Sequence, residues 1–237
     1  MKKLFVLAGG FGTRLRTVIS DVPKPLAPVA GRPFLMHLVD NWVAQGVKEF
    51  VFLLHYESAQ IRQLLNNVSD YPEFSDIKFT SVVEDIPLGT GGSILNAIKK
   101  LEIKESILIA NADTWLQSGI LVLSKEVPNT IVSVNVPNCQ RYGALTFDGD
   151  KVTEFIEKSS VQGRGYVSSG LYHLDPNIFD SFEPGTCFSL EEDVFPGLVA
   201  SRQLRSIKML GEFIDIGVPE DYLNFCDWME LRRKNDF

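Results

Sequence analysis

The first half of the chain alternates short apolar runs with segments of helical period. Lys3–Leu7, Phe50–Leu54, Ile77–Val83, Ser106–Ala110 and Thr130–Val136 read as strands, several apolar enough to be buried on both faces. Between them, Leu35, Leu38, Val39, Trp42 and Val43 form one stripe of a helix over Phe34–Gln45. Ile61, Leu64, Leu65 and Val68 mark a second helix, and Ile94, Leu95, Ile98 and Leu101 a third. Strands and helices in alternation call for crossover connections. They predict an α/β fold, with a Rossmann-like mixed, mostly parallel sheet and helices on both faces.

After about residue 140 the pattern changes. Gly143–Phe147, Val152–Glu157 and Tyr166–Leu174 are closely spaced strands joined by glycine turns such as Asp148-Gly149-Asp150, which predicts a small antiparallel lid beside the main sheet. Ser189 followed by Glu192 forms a capping box that opens a short helix through Leu198. Pro219 starts a C-terminal helix whose apolar positions are Tyr222, Leu223, Phe225, Cys226, Met229 and Leu231. The aromatic residues Tyr222, Phe225 and Trp228 suit either core packing or a homodimer surface.

Charge narrows the possible ligands. Lys and Arg number 23 against 30 Asp and Glu, a formal charge of −7 that leaves no basic footprint for a nucleic acid. A phosphorylated ligand would therefore be met by a few placed cations rather than by the field of the whole protein. Cys139, Cys187 and Cys226 are scattered, the pattern of free thiols in a reducing compartment. His37, His55 and His173 lack metal-ligand spacing, which argues against a zinc site. Gly9, Gly10, Gly12 and Arg14 cut the N-terminal apolar run short of a signal sequence, and no run approaches the roughly 20 apolar residues of a membrane span. The expectation is a soluble, cytoplasmic chain with no membrane partner.

The candidate chemistry begins after the first strand, at Leu7-Ala8-Gly9-Gly10-Phe11-Gly12-Thr13-Arg14. Glycines there let backbone N–H groups turn toward a polyphosphate, where a doubly wound sheet binds its ligands. The loop ends Gly12-Thr13-Arg14, so it lacks the Gly-Lys-Ser/Thr of a Walker loop. Leu15 stands where a dinucleotide fingerprint needs its third glycine. Arg14 and Lys24 bring cations to the same place, and Pro23 and Pro25 on either side of Lys24 stiffen its backbone. Leu88-Gly89-Thr90-Gly91-Gly92 reads either as a helix N-terminal turn or as a backbone slot for a base. Glu84 ahead of it either faces the nucleoside or is a solvated loop acid. Asp113 ends the buried strand Ile107–Ala110 at the ligand edge of the sheet, and Asp215 lies within an apolar run where an unpaired carboxylate is costly. Two such carboxylates suit Mg²⁺, which takes one or two with substrate phosphates completing its shell.

Gly9-Gly10-Phe11-Gly12-Thr13-Arg14-Leu15 followed by Pro23-Lys24-Pro25-Leu26 resembles the signature of the sugar-1-phosphate nucleotidyltransferases, and the resemblance spans essentially the whole chain. It implies that the glycine loop holds a nucleoside triphosphate, with Arg14 and Lys24 neutralising its phosphates and Gly89 and Thr90 reading the base. It implies that Asp113 and Asp215 hold Mg²⁺. It assigns Glu157 to sugar hydroxyls and Lys158 to the sugar phosphate, and places Gly143, Gly170 and Glu191 around the sugar. In that family the sugar phosphate attacks the α-phosphorus and pyrophosphate leaves. The nucleophile is already ionised, since a phosphate monoester has a second pKa of about 6, so no general base is needed. With no linker, low-complexity segment or internal repeat in the sequence, the expectation is one domain over residues 1–237, with a nucleotide-binding half (1–136) and a sugar-phosphate-binding half (137–237). Segments such as Arg141-Tyr142-Gly143 and Phe188-Ser189-Leu190-Glu191 are similar to those of D-glycero-α-D-manno-heptose 1-phosphate guanylyltransferases, which supply GDP-heptose for surface polysaccharide. Hexose-1-phosphate enzymes using GTP, UTP or CTP remain the nearest alternative, and a non-catalytic nucleotide-sugar-binding homologue is the alternative of another class. A nicotinamide dehydrogenase is disfavoured by Leu15 and the proline-rich loop.

Overall fold

Alternation of apolar side chains builds the central sheet of the computed structural model, which describes residues 3–19, 22–69, 71–156 and 162–235. In β1 (Leu4–Leu7), Leu4 and Val6 enter the core on one side of the sheet and Phe5 the core on the other, the period of two that a strand requires. A short hairpin, β2 (Pro28–Val29) and β3 (Arg32–Pro33), leads into α1 (Phe34–Ala44). Then come β4 (Glu49–Leu54), α2 (Ser58–Ser69), β5 (Lys78–Val83), α3 (Gly89–Lys100) and β6 (Ile107–Asn111). β7 (Thr114–Leu116), α4 (Ile120–Leu123), β8 (Thr130–Val136), β9 (Ala144–Asp148), β10 (Lys151–Ile156) and β11 (Gly165–Leu174) follow. The chain then runs through α5 (Phe195–Ala200), β12 (Arg205–Met209), β13 (Phe213–Asp215) and α6 (Pro219–Asn235).

The main sheet runs β5-β4-β1-β6-β11-β8-β12-β10-β9. It is parallel from β5 to β6, and beyond that it is mixed, with β11 antiparallel to both β6 and β8. The strands expected to form a separate lid therefore continue the main sheet. β11 is too apolar to stand aside: Val167, Leu171, Tyr172 and Leu174 are all buried. Its register with β8 breaks between Ser168 and Tyr172; its first half also pairs with β9, while its second half lies against β6. The break brings Gly170 to the ligand edge.

Ser189 caps a helical segment as expected, its hydroxyl accepting from the N–H groups of Glu191 and Glu192 at 3.2 Å each. The reciprocal bond differs, because the N–H of Ser189 donates to Asp193 at 2.7 Å instead of to Glu192. Leu190–Val194 is a π turn, and widening the turn moves the acceptor one residue along.

On α6, Tyr222 and Phe225 are core residues, and Phe225 meets Phe34 edge-on at 5.1 Å. These aromatics are internal, and Leu223 and Leu231 are the apolar side chains the helix leaves exposed. All three cysteines are free thiols. Among the described residues no helix is long and apolar enough to cross a membrane.

Candidate active site

The carboxyl ends of four parallel strands open on one cleft of about 480 Å³. In sheet order they deliver Glu84 after β5, His55 after β4, Ala8 and Gly9 after β1, and Asn111 to Asp113 at the end of β6. The fold thus gives the cleft a direction, from Glu84 at one end to Asp113 at the other. Leu7, Ala8, Gly9, Gly10, Gly12, Thr13, Arg14, Lys24, Gly89 and Thr90, the residues read as nucleotide-binding, all line it.

The glycine loop is shaped by Lys24 as much as by any ligand. Gly12 has φ +59°, and a Cβ there would lie 2.9 Å from the Cβ of Lys24. A larger residue would be strained in backbone and would push the lysine away. Behind the loop, Leu15 is buried and pins the short helix Thr13–Thr17, which leaves Arg14 exposed on the cleft wall. Pro23 and Pro25 hold Lys24 in the single turn Lys24–Leu26, closed by Leu26 N–H donating to the Pro23 carbonyl at 2.7 Å.

The ammonium of Lys24 lies 2.7 Å from Asp113 Oδ2 and 3.5 Å from Asp215 Oδ1. The two aspartates meet although they are far apart in sequence, because β7 and β13 pair with Thr114 opposite Asp215. Burial works against ionisation of both carboxyls. At Asp113 it is outweighed by Lys24 and by the Thr114 hydroxyl at 3.0 Å, which hold this carboxyl below its ordinary range. At Asp215, burial and the Asp113 charge raise the carboxyl against the pull of Lys24 and the Gly217 N–H. One ammonium therefore serves two converging carboxylates, which leaves a negative centre with oxygen donors only. No third His, Cys, Asp or Glu joins them among the described residues. That donor set fits magnesium, whose remaining positions are ordinarily filled by water and phosphate.

The segment Gly89–Gly92 opens α3, the helix N-terminal turn that the sequence offered as one reading, and its glycines have a packing role besides. A Cβ at Gly89 would lie 2.5 Å from the Phe188 carbonyl oxygen, one at Gly91 2.3 Å from the Phe188 ring, and one at Gly92 2.4 Å from the Thr186 carbonyl oxygen. The glycines admit the chain around Phe188, which accepts bonds from Gly91 and Gly92 N–H at 3.0 and 3.3 Å. Gly91→Ala is expected to destabilise the fold by about 1–3 kcal/mol through overpacking, read as a lower urea midpoint. An unchanged midpoint would show that Phe188 has room to move.

Glu84 is buried and is no solvated loop acid. Its carboxylate accepts from Leu88 N–H at 3.1 Å and from the Ser93 hydroxyl, so it ties the strand end to the start of α3. Burial pushes this carboxyl up, against the Leu88 bond. Asn111 is a second wall residue that sequence reasoning passed over. Its buried Oδ1 has no hydrogen-bond partner among the described residues, and its place two positions before Asp113 was the available signal.

A second cleft, of about 400 Å³, shares Arg14, Gly89, Thr90, Asn111 and Asp113 with the first. Gly143, Gly170 and Glu191, the residues read as lying around the sugar, line it, and so does Asp215, read as a metal ligand. Glu191 accepts from Thr90 Oγ1 at 2.6 Å and from Tyr172 at 3.5 Å, so the two clefts share one polar wall. Arg141, beside Gly143, is ion-paired with Asp221. Glu157 and Lys158 lie outside the described residues; Phe155, near the end of β10, lines the cleft.

With this geometry in place, comparison with known proteins is informative. The Nucleotidyl transferase family profile matches residues 3–230. D-glycero-alpha-D-manno-heptose 1-phosphate guanylyltransferase of Campylobacter jejuni is 32% identical over 221 residues, covering 93% of this chain and 96% of that protein. Probable mannose-1-phosphate guanylyltransferase 1 of Oryza sativa is 32% identical over 93% of this chain, which spans 63% of that relative's length. The crystal structure of HddC from Yersinia pseudotuberculosis matches with a TM-score of 0.82 at 34% identity, covering 97% of this chain and 100% of that one. Its complex with GMP-PN matches at 0.79.

Proposed function

The chain belongs to the nucleotidyl transferase family, and on that premise we propose that it joins a nucleoside triphosphate to a sugar 1-phosphate with release of pyrophosphate. The observation that carries this reading is the pair of clefts meeting at Asp113, one lined by the glycine loop and Lys24, the other by Gly143, Gly170 and Glu191. The reading runs the nucleotide along the first cleft, its base toward Glu84 and its phosphates toward Lys24, a direction that the order of the strand ends supports. The α-phosphorus then sits where the second cleft begins, within reach of a phosphate oxygen arriving in line from the sugar side.

Catalysis in such a site is positioning and charge neutralisation. Arg14 and Lys24 take the charge of the triphosphate, and the loop N–H groups hold it against the sheet edge. Asp113 and Asp215 are the residues that would hold Mg²⁺. Bound there, the ion supplies neutralisation of charge on the reacting phosphate. Lys158 is assigned to the sugar phosphate, drawing the nucleophile into line. No side chain need remove a proton, because the attacking oxygen is already ionised.

GTP is the proposed nucleotide and D-glycero-α-D-manno-heptose 1-phosphate the proposed sugar. The Campylobacter and Yersinia relatives support both. Guanine offers two donors on its amide edge, and the Glu84 carboxylate has further lone pairs to accept them. Pyrophosphate release measured across GTP, ATP, UTP and CTP, each with heptose and mannose 1-phosphates, tests the assignment. The highest kcat/KM is expected for GTP with the heptose phosphate. A preference for UTP or CTP would remove Glu84 as the base reader, and a preference for mannose 1-phosphate would move the chain toward the Oryza relative's activity.

A further inference from the structure

A third cleft, of about 870 Å³, shares no lining residue with the two already described. It lies among the β2–β3 turn, α1, β7 and the last turns of α6. Three guanidinium groups line it, those of Arg32, Arg232 and Arg233, in a chain whose formal charge is −7. The acid in its wall, Asp40, is taken up by Arg32 at 2.8 Å, which leaves two positive charges in excess. Burial lowers the pKa of His37 in the same wall, and its Nε2–H donates to the Val29 carbonyl at 2.9 Å, so this ring adds no charge near neutrality.

The second observation is independent of charge. The Trp115 indole lines this cleft, is only 6% exposed, and its Nε1–H finds no acceptor among the described residues. That donor is sealed from solvent, so the indole is part of the wall and its N–H signal reports on what binds beside it. The arginines are already partly oriented: Arg232 lies over the Trp228 ring at 4.6 Å, and Arg233 donates to the Ala30 carbonyl at 3.5 Å. Pre-ordered guanidinium groups match the tetrahedral oxygens of a phosphate group.

We propose that this cleft is a second ligand site, taking a phosphate-bearing small molecule whose oxygens engage Arg32, Arg232 and Arg233. The site stands on its own residues and does not depend on the reaction assigned to the first two clefts. Trp115 is two residues from Asp113 on β7, so a test must separate events here from events at the glycine loop.

Inorganic pyrophosphate, added without divalent metal and at constant ionic strength, is the probe. The chain has 3 tryptophans, so Trp115→Phe assigns its indole N–H signal in a ¹⁵N–¹H spectrum. Saturable movement of that signal is expected, with an apparent Kd of about 1 mM or below. In the Arg232→Ala/Arg233→Ala chain the affinity read at Trp115 falls on the order of 10-fold or more, since each lost bond joined two charged groups. The amides of Gly9 to Thr13 titrate there as in the parent, and the dispersion of the remaining spectrum reports an intact fold. No saturable movement at Trp115 would overturn the proposal. So would movement that follows the loop amides and survives the double substitution unchanged.

Discussion

Lys24→Ala lowers turnover by about 10²-fold or more while the chain remains folded. The size follows from the double position of this side chain. It lines the nucleotide cleft beside the glycine loop, and its ammonium sits 2.7 and 3.5 Å from the two aspartates. Alanine removes a cation from the phosphates and leaves Asp113 and Asp215 facing each other with no counter-charge in the free protein. The loss belongs in kcat more than in KM, because a charge stabiliser acts most where charge builds up. Lys24→Arg is expected to rescue little: a planar guanidinium is a poor replacement for a compact ammonium that approaches two carboxylates. An unchanged kcat for Lys24→Ala would remove this residue from the chemistry, whatever the spectrum of the folded variant showed.

Asp113→Asn is the second large effect, a fall of about 10²–10³-fold in turnover together with a higher magnesium requirement. Asparagine keeps the size of the side chain and an oxygen for the Thr114 hydroxyl, so packing should change little. It loses the charge that Lys24 and the metal share. The two substitutions separate in the metal titration: Asp113→Asn moves the magnesium midpoint upward, whereas Lys24→Ala removes a competitor of the metal and does not. A magnesium midpoint left in place by Asp113→Asn would put the cation elsewhere in the cleft.

Much of this site was legible in the chain because its signals are local. The strand ends, the glycine loop and the proline-flanked lysine are each read within a few residues. Asp113 and Asp215 were marked by their apolar neighbours. What brings them together, the β7–β13 pairing, is not local and left no trace in either segment. The same limit hid the packing role of Gly89–Gly92, whose partners around Phe188 lie about a hundred residues further along the chain. Glu84 stayed open between a nucleoside-facing acid and a solvated loop acid because its burial depends on Leu88 and Ser93 folding back over it. The expected lid dissolved for a related reason: glycine turns mark where strands end, while the neighbour each strand chooses is decided across the whole sheet.

The reaction class is tested most directly by following two labels in GTP, one on the α-phosphorus and one on the γ-phosphorus, in the presence of heptose 1-phosphate and magnesium. The α label should pass into a nucleotide sugar and the γ label into pyrophosphate, in equal amounts and only when the sugar phosphate is present. Transfer of the γ label to the sugar, or its release as inorganic phosphate, would contradict nucleotidyl transfer at this site.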